Sequence, residues 1–159
     1  MIILVRHAAA VDEGPDLRDE HRYLTRAGRA AAVALAAEMR AGQIAVTQVL
    51  TSPLVRAVQT AELIAHALGL ELVIEATALL APGGSIRLAA ARLAGASGTV
   101  MAVGHEPSIS ALAGTLTFNS SFPSLRKAEA AVVEGDALRA WLGSDRRGKQ
   151  GILPPGDGV

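Results

Sequence analysis

The sequence of 159 residues contains no cysteine, and only 3% of its residues are aromatic. Without cysteine the chain can form neither a disulfide nor a thiolate metal site. Hydrophobic residues still make up 50% of the total, so Ala, Val, Leu and Ile must build the core. The chain is long enough for one domain with a sizeable core, and we predict a single domain over residues 1–159.

An excess of charge and long hydrophobic runs are lacking too. The 15 basic and 15 acidic residues balance, so no long-range attraction to nucleic acid or to an acidic membrane is expected. The run of small apolar residues at Ala30–Ala37 is far shorter than the roughly 20 residues of a membrane span. The apolar run Met1–Val5 has no basic region before it and is too short for the core of a signal peptide. We therefore expect a cytoplasmic protein without nucleic-acid or membrane partners.

Strand-like and helix-like patterns alternate along the chain, which predicts an α/β domain with a mostly parallel sheet. The predicted strands are residues 2–5, a stretch ending near Thr51, residues 70–74 and residues 99–103, with a terminal hairpin of residues 129–133 and 137–142. The predicted helices are residues 26–40, 52–68, 86–93 and 107–116, and an irregular tail is expected over residues 143–159.

Two of these helices have clear start and stop signals. Thr25 is expected to cap the first helix, and Gly42 to end it. Ser52 is expected to cap the second helix, with Pro53 at its first helical position and Gly69 at its end. Helical spacing predicts that the buried face of the second helix consists of Leu54, Val58, Ala61, Ala65 and Leu68.

Polar side chains directly follow two of the predicted buried strands. Arg6 and His7 follow the first strand, and His105 follows the strand at 99–103. Ligands of parallel sheets bind at the carboxyl ends of the strands, so the two histidines are expected to share one crevice.

Arg56 lies in the first turn of the second predicted helix. A cation there opposes the helix macrodipole, which favours acids by about 0.3–1 kcal/mol. The mismatch suggests that Arg56 binds an anion, which the free N–H groups of the helix would attract as well. The alternative is a surface arginine in an imperfect helix.

Two arginines, two histidines and a helix N-terminus would form a pocket for a tetrahedral dianion such as phosphate. A histidine with a pKa near 6.5 has a free lone pair around neutral pH and can attack phosphorus, and a protonated neighbouring histidine would stabilise the charge. We see no Walker A loop and no acids at metal-ligand spacing, so we expect the anion to be bound without an obvious metal. The remaining histidines, His21 in a charged loop and His66 within a helix, are expected to be ordinary polar residues.

Three motifs in order resemble the histidine phosphatase superfamily, also called the phosphoglycerate mutase-like superfamily. VRHAAA resembles its N-terminal RHG signature, TSPLVRAVQTAELI its second signature and VGHEPSIS its third. YLTRAGRAAA matches the LT..G segment between the first two. The short chain, the LLAPGGS loop and the GHEP form are similar to the SixA-like phosphohistidine phosphatase branch. The match extends from Met1 to about Leu116, and the ordered set of motifs is highly specific.

The resemblance implies a three-layer α/β/α sandwich with a mostly parallel, phosphoglycerate mutase-like sheet, and no metal or cofactor. It implies that His7 is the nucleophile and that Arg6, Arg56 and His105 complete the phosphate pocket. SixA-like members remove phosphate from phosphohistidine on proteins, notably on histidine-containing phosphotransfer domains. Other small members act on phosphorylated metabolites.

The chain departs from the family pattern at two positions. Ala8 replaces the usual glycine after the histidine, a familiar variation in SixA-like chains that we do not expect to abolish activity. Larger relatives carry a glutamate as general acid roughly where Ala81 stands. A protonated phosphohistidine leaves readily without such an acid, which favours this substrate over sugar phosphates. Glu106 and Asp19 are the candidate proton donors, although the acids of the first loop are more simply explained as solvated charges.

We therefore predict a metal-independent phosphatase that forms a covalent phosphohistidine on His7 and acts on phosphohistidine in proteins. One alternative is a phosphatase for small phosphomonoesters such as sugar or nucleotide phosphates. An alternative of another class is a non-catalytic phosphate-binding protein, but a pure binder would need donors and not a nucleophile. A mutase would need longer enclosing loops than this chain can supply.

Overall fold

The computed structural model describes residues 1–143. Apart from Gly143, the predicted irregular tail lies outside these residues. The strands are β1 (Ile2–Arg6), β2 (Gln48–Thr51), β3 (Ile74–Ala76), β4 (Val100–Gly104), β5 (Ala130–Glu134) and β6 (Ala137–Leu142). The α-helices are α1 (Arg26–Ala41), α2 (Val55–Leu68), α3 (Ile86–Ala94) and α4 (Ser108–Leu116), and short 3-10 helices cover Asp19–His21 and Ala78–Leu80.

The strands within residues 1–143 form one six-stranded sheet in the order β3-β2-β4-β1-β5-β6. The four strands from β3 to β1 run parallel, and the hairpin of β5 and β6 adds two antiparallel strands at one side. The predicted α/β class with a mostly parallel sheet is confirmed. The strands β4 and β1 lie at the centre of the sheet, and both are deeply buried.

The helices cover both faces of the sheet, as the predicted three-layer sandwich requires. Alternate residues of β1 point to opposite faces, so that Ile3 and Val5 join one apolar cluster and Leu4 joins another. The first cluster takes its helical side chains from α1 and α2, and the second takes them from α3 and α4. Aliphatic side chains dominate both clusters, as the scarcity of aromatic residues predicts.

Within residues 1–143, no helix is long and apolar enough to cross a membrane.

The prediction of a strand at residues 70–74 is wrong, because β3 begins only at Ile74. Gly69 ends α2 with a left-handed φ of 71°, and the N–H of Leu70 donates to the carbonyl of Ala65 to complete the helix end. Val73 is 88% exposed. The apolar residues before Ile74 thus finish a helix and cross the surface.

The predicted start of α2 is also wrong. The helix begins at Val55 with Leu54 as its N-cap, so Ser52 and Pro53 precede it. The observed buried face of α2 is rotated relative to the predicted one, because the polar side chains of Arg56 and Thr60 turn inward in place of apolar neighbours. The buried residues of α2 are Arg56, Ala57, Thr60, Ala61, Ile64 and Ala65. By contrast, Thr25 caps α1 as predicted, accepting from the N–H of Gly28 at 3.0 Å.

The glycine of the LT..G segment has a packing role. Thr25 and Gly28 press against the loop after β1, where the N–H of Thr25 donates to the carbonyl of Ala9 at 3.0 Å. A Cβ on Gly28 would overlap the carbonyl oxygen of Ala9 and lie 3.0 Å from its nitrogen. The close approach therefore requires glycine, and it holds the residues after β1 against α1.

We predict that Gly28→Ala destabilises the protein, although alanine normally stabilises a helix interior by about 1 kcal/mol over glycine. The overlap with the backbone of Ala9 should cost about 1–3 kcal/mol and lower the melting temperature by several degrees. Gly14→Ala is the matched control, because no heavy atom lies within 4 Å of its added Cβ. Equal melting temperatures for both variants would contradict this packing role.

Candidate active site

The carboxyl ends of β1 and β4 bring two histidines together. Arg6 on β1 pairs with Gly104 on β4, and the N–H of His7 donates to the carbonyl of Gly104 at 3.0 Å. The rings of His7 and His105 consequently lie with their centroids 5.0 Å apart. The histidines share one pocket, as the strand pattern predicts.

The hydrogen bonding of His7 leaves a lone pair on Nε2. Its Nδ1 lies 2.7 Å from the carbonyl oxygen of Ala8. A carbonyl only accepts, so Nδ1 carries the proton of the neutral ring and Nε2 is unprotonated. The Nε–H of Arg56 donates to this Nε2 at 3.4 Å. His7 therefore presents a nucleophilic nitrogen beside a guanidinium group.

Thr60 of helix α2 fixes the backbone that follows His7. The N–H of Ala8 donates to the hydroxyl of Thr60 at 3.1 Å, and that hydroxyl donates to the carbonyl of Arg56 at 2.7 Å.

The side chain of Ala8 is fully buried in the core, and its φ lies outside the left-handed region. Alanine therefore fits here without backbone strain.

The two arginines differ in what they bind. Nη1 of Arg6 donates to the carbonyl of Leu125 at 2.8 Å. Its buried Nε has no hydrogen-bond partner among residues 1–143. Arg56, in the first turn of α2, donates from Nη1 to the carbonyl of Asp19 at 2.6 Å and from Nη2 to Oδ2 of Asp19 at 3.0 Å. Arg56 is buried, which excludes the alternative of a surface arginine.

Asp19 is held as a carboxylate. Burial on its own raises the pKa of this group, but hydrogen bonds from Arg56 and Arg22 outweigh burial and hold the pKa below its ordinary value. Arg22 contacts Oδ1 at 3.0 Å. An anionic oxygen thus lies in the fork of Arg56, which is the geometry that a phosphate oxygen would also require.

His105 is bound by a hydroxyl and not by a carbonyl. Its Nε2 lies 2.7 Å from Oγ of Ser52, and both side chains are buried. Its Nδ1 is buried without a partner in the described part of the chain, like Nε of Arg6. A buried polar group without a partner costs about 1–3 kcal/mol, so Nε of Arg6 and Nδ1 of His105 are candidate contacts for a ligand.

Both rings are neutral at pH 7. Burial, together with the cations Arg56 and Arg6, lowers the pKa of His7 to about 4, although the hydrogen bond to Ala8 opposes them. Burial, followed by His7 and Arg56, lowers the pKa of His105 to about 3. Without a bound anion His105 therefore offers a neutral ring, and a protonated histidine beside the nucleophile stays a prediction for the phosphate-bound pocket.

Glu106 points away from this pocket. Its Oε1 accepts from the hydroxyl of Ser110 and from the N–H of Leu125, the latter at 3.1 Å. Because Leu125 also accepts from Arg6, Glu106 anchors the loop that positions an arginine. Of the two candidate proton donors, the structure brings Asp19 to the pocket and not Glu106.

Sequence reasoning missed Ser52 and Thr60 as parts of the site. Serine is a residue type typical of helix caps, which accounts for the interpretation of Ser52. Thr60 is one of many polar residues, and its type alone does not mark it as part of a site. Their signal is their position in the second motif: Thr60 lies one turn after Arg56 and therefore on the same helix face.

The comparisons with known proteins agree with this geometry. The sequence profile of the histidine phosphatase superfamily, branch 1, matches residues 2–79. The chain belongs to the histidine phosphatase superfamily. The matched segment carries His7 and Arg56, whereas His105 joins the site through the pairing of β1 with β4. No curated protein matches the chain by sequence.

Solved structures of the superfamily share the fold. The protein histidine phosphatase SixA complexed with tungstate is 24% identical with a TM-score of 0.80, covering 89% of this chain and 95% of its own. A protein from Nakamurella multipartitia, named as a SixA phosphohistidine phosphatase, is 28% identical with a TM-score of 0.66, covering 82% of this chain and 81% of its own. A mycobacterial glucosyl-3-phosphoglycerate phosphatase with inorganic phosphate is 21% identical with a TM-score of 0.60, covering 82% and 87%.

The fold of this chain is thus the phosphoglycerate mutase-like fold of SixA, as predicted. Membership in the superfamily supports phosphatase activity. The SixA and sugar-phosphate phosphatases share the fold and differ in named substrate, so the fold leaves the substrate open.

We predict that the stability of this protein falls as the pH falls from 6.5 to 4. In this window the unfolded chain binds protons on His7 and His105, and the folded chain does not. The loss at pH 5 relative to pH 7.5 should be roughly 2 kcal/mol per histidine. Urea unfolding of wild type, His7→Asn and His105→Asn at both pH values measures it, and each variant should lose about half of the dependence.

The exposed His66→Asn variant controls for the removal of a histidine as such. An unchanged pH dependence in both pocket variants would show that the two rings titrate alike in the folded and unfolded chains.

Proposed function

We propose that this protein is a metal-independent phosphatase that removes phosphate from phosphohistidine on proteins, through a covalent phosphohistidine on His7. The observation that carries the proposal is the lone pair on Nε2 of His7, 3.4 Å from Nε of Arg56 and in one pocket with the buried donor of Arg6 and the ring of His105. A nucleophile surrounded by donors suits attack on a phosphoryl group.

The reaction proceeds in two displacements. In the first, Nε2 of His7 forms a bond to phosphorus while the P–N bond of the substrate breaks, and the substrate imidazole departs with the electron pair. In the second, water attacks phosphorus, its protons pass to phosphate oxygens or solvent, and the bond to Nε2 breaks to release orthophosphate. Arg6 and Arg56 hold the equatorial oxygens, whose charge they stabilise in both steps.

The proton balance of the site supports a nitrogen leaving group. Asp19, the candidate acid that reaches the pocket, is held deprotonated by Arg56 and Arg22. Glu106 is bonded to a neighbouring loop. A phosphohistidine that is already protonated on its ring leaves as neutral imidazole and needs no enzymic acid, whereas an alkoxide does need one. The superfamily relatives named as SixA phosphohistidine phosphatases support the same class of substrate.

A phosphatase for small phosphomonoesters is the second candidate. The mycobacterial glucosyl-3-phosphoglycerate phosphatase has the same fold and covers 82% of this chain. Its likeness shows that this fold is compatible with a sugar phosphate.

We predict that wild-type protein releases phosphate from a phosphorylated histidine phosphotransfer domain in the presence of EDTA. His7→Ala should lower the rate by roughly 10³-fold or more, because the nucleophile is lost. His66→Ala is the matched control, since it removes an exposed histidine of α2. Quenching with alkaline detergent, which preserves the P–N bond, should trap a phosphorylated wild-type protein and none of the His7→Ala variant.

Three outcomes would contradict parts of this proposal. Loss of wild-type activity in EDTA would refute independence from metal. Cleavage of p-nitrophenyl phosphate without release from the phosphorylated domain would favour the small phosphomonoesters. Failure on both substrates would favour a non-catalytic phosphate-binding protein.

We further predict a steep dependence on the leaving group. Without an enzymic acid, kcat/KM for p-nitrophenyl phosphate should exceed that for glycerol 2-phosphate by about 10²–10⁴-fold, which is the usual contribution of general acid catalysis. The measurement compares the two esters at pH 7 with wild type and Asp19→Asn. Similar rates on both esters in wild type, and selective loss of the alkyl ester in Asp19→Asn, would instead identify Asp19 as the acid.

A further inference from the structure

Ser52 occupies a place in the pocket that its expected role as a helix cap does not explain. It follows β2 directly, and its N–H donates to the carbonyl of Val103 on β4 at 2.9 Å. Its side chain is fully buried. The strand pairing therefore carries the hydroxyl to the ring of His105, 2.7 Å from Nε2.

The direction of this hydrogen bond follows from the partners of the hydroxyl. A serine hydroxyl has one proton to donate and two lone pairs. Oγ of Ser52 accepts from the N–H of Leu54 at 3.3 Å. In the described part of the chain, Nε2 of His105 is the acceptor within hydrogen-bond reach of the hydroxyl proton. The bond is therefore satisfied when Ser52 donates and Nε2 accepts.

A ring that accepts at Nε2 must carry its proton on Nδ1. The Nδ1 atom of His105 is buried and has no partner within residues 1–143. The ring centroid lies 5.0 Å from that of His7, so the ring of His105 borders the nucleophile. Burial lowers the pKa of His105 to about 3, so the ring stays neutral and has a single N–H at neutral pH.

We propose that Ser52 is a positioning residue, which donates to Nε2 of His105 and so holds this histidine as the Nδ1–H tautomer with its one N–H free for a phosphoryl oxygen. The inference rests on the proposed phosphatase function. It makes the two histidines complementary: a carbonyl leaves a lone pair on Nε2 of His7, and a hydroxyl leaves a donor on Nδ1 of His105. The donor is oriented before substrate arrives, which lowers the reorganisation needed in the transition state.

The first test reads the tautomer of His105 in the wild-type protein. The chain has 4 histidines, so ring nitrogen signals in ¹⁵N NMR spectra at pH 7 can be assigned by single replacements. We expect wild-type His105 to show a protonated Nδ1 and an unprotonated Nε2. Inorganic phosphate should shift the Nδ1–H signal. A protonated Nε2 in wild type, or an Nδ1–H signal that saturating phosphate leaves unmoved, would overturn the proposal.

The second test uses Ser52→Ala with Ser52→Thr as the variant that retains the hydroxyl. Ser52→Ala should lower kcat by about 10-fold or more with a smaller change in KM, and convert the ring of His105 to a mixture of tautomers. Ser52→Thr should restore both. In a His105→Ala background Ser52→Ala should have no further effect on kcat, because Ser52 acts through that ring.

These readouts separate the two proposals. An Nδ1–H tautomer that responds to phosphate, in a protein that releases no phosphate from any substrate, would refute the proposed function and leave the role of Ser52 standing. An active enzyme whose His105 carries its proton on Nε2 would refute the role of Ser52 alone. An equal loss of kcat from Ser52→Ala with and without His105 would also refute it, since the loss would then be structural.

Discussion

The parallel pairing of β1 with β4 is the constraint on which the pocket depends. It places Arg6 opposite Gly104 at the ends of the two strands. The residue that follows each strand is a histidine, so both histidines lie at the same edge of the sheet. The neighbouring β2 follows the same register, which carries Ser52 to His105. These backbone hydrogen bonds lie in the most buried part of the sheet, and such a position limits movement of the attached side chains. A shift of one residue in this register would turn the side chains to opposite faces.

Hydrogen-bond partners then give the two histidines different chemistry. They have the same side chain, are both buried and are both neutral at pH 7. The carbonyl of Ala8 binds the N–H of His7 and leaves a nucleophilic nitrogen. The hydroxyl of Ser52 can donate as well as accept, which allows His105 to keep its N–H for a ligand. The roles of nucleophile and donor thus depend on neighbouring oxygen atoms and not on a difference in ring acidity.

The pocket also satisfies part of its positive charge with its own chain. Asp19 binds two nitrogens of Arg56, while Nε of the same guanidinium faces His7. This arrangement orients Arg56 toward the nucleophile. It also keeps Asp19 deprotonated at neutral pH, so that Asp19 cannot act as a general acid there. An arginine pocket without a protonated acid is better suited to a substrate whose leaving group already carries its proton. The ion pair of Asp19 with Arg56 therefore bears on the choice of substrate as much as on phosphate binding.

Local patterns determined much of the fold and the identity of the pocket residues. Apolar runs, the Thr25 cap and the Arg-His pair after the first strand could all be read from the sequence, because each depends on residues close in the chain. Only the tertiary structure decided the remaining features. Ser52 resembles a helix cap in sequence, yet it bonds to a residue 53 positions away. The inward face of α2 was mispredicted because Arg56 and Thr60 turn toward the pocket, against the hydrophobic pattern. Hydrogen bonds between distant segments form only when the sheet brings those segments together, and for this reason no local pattern contains them.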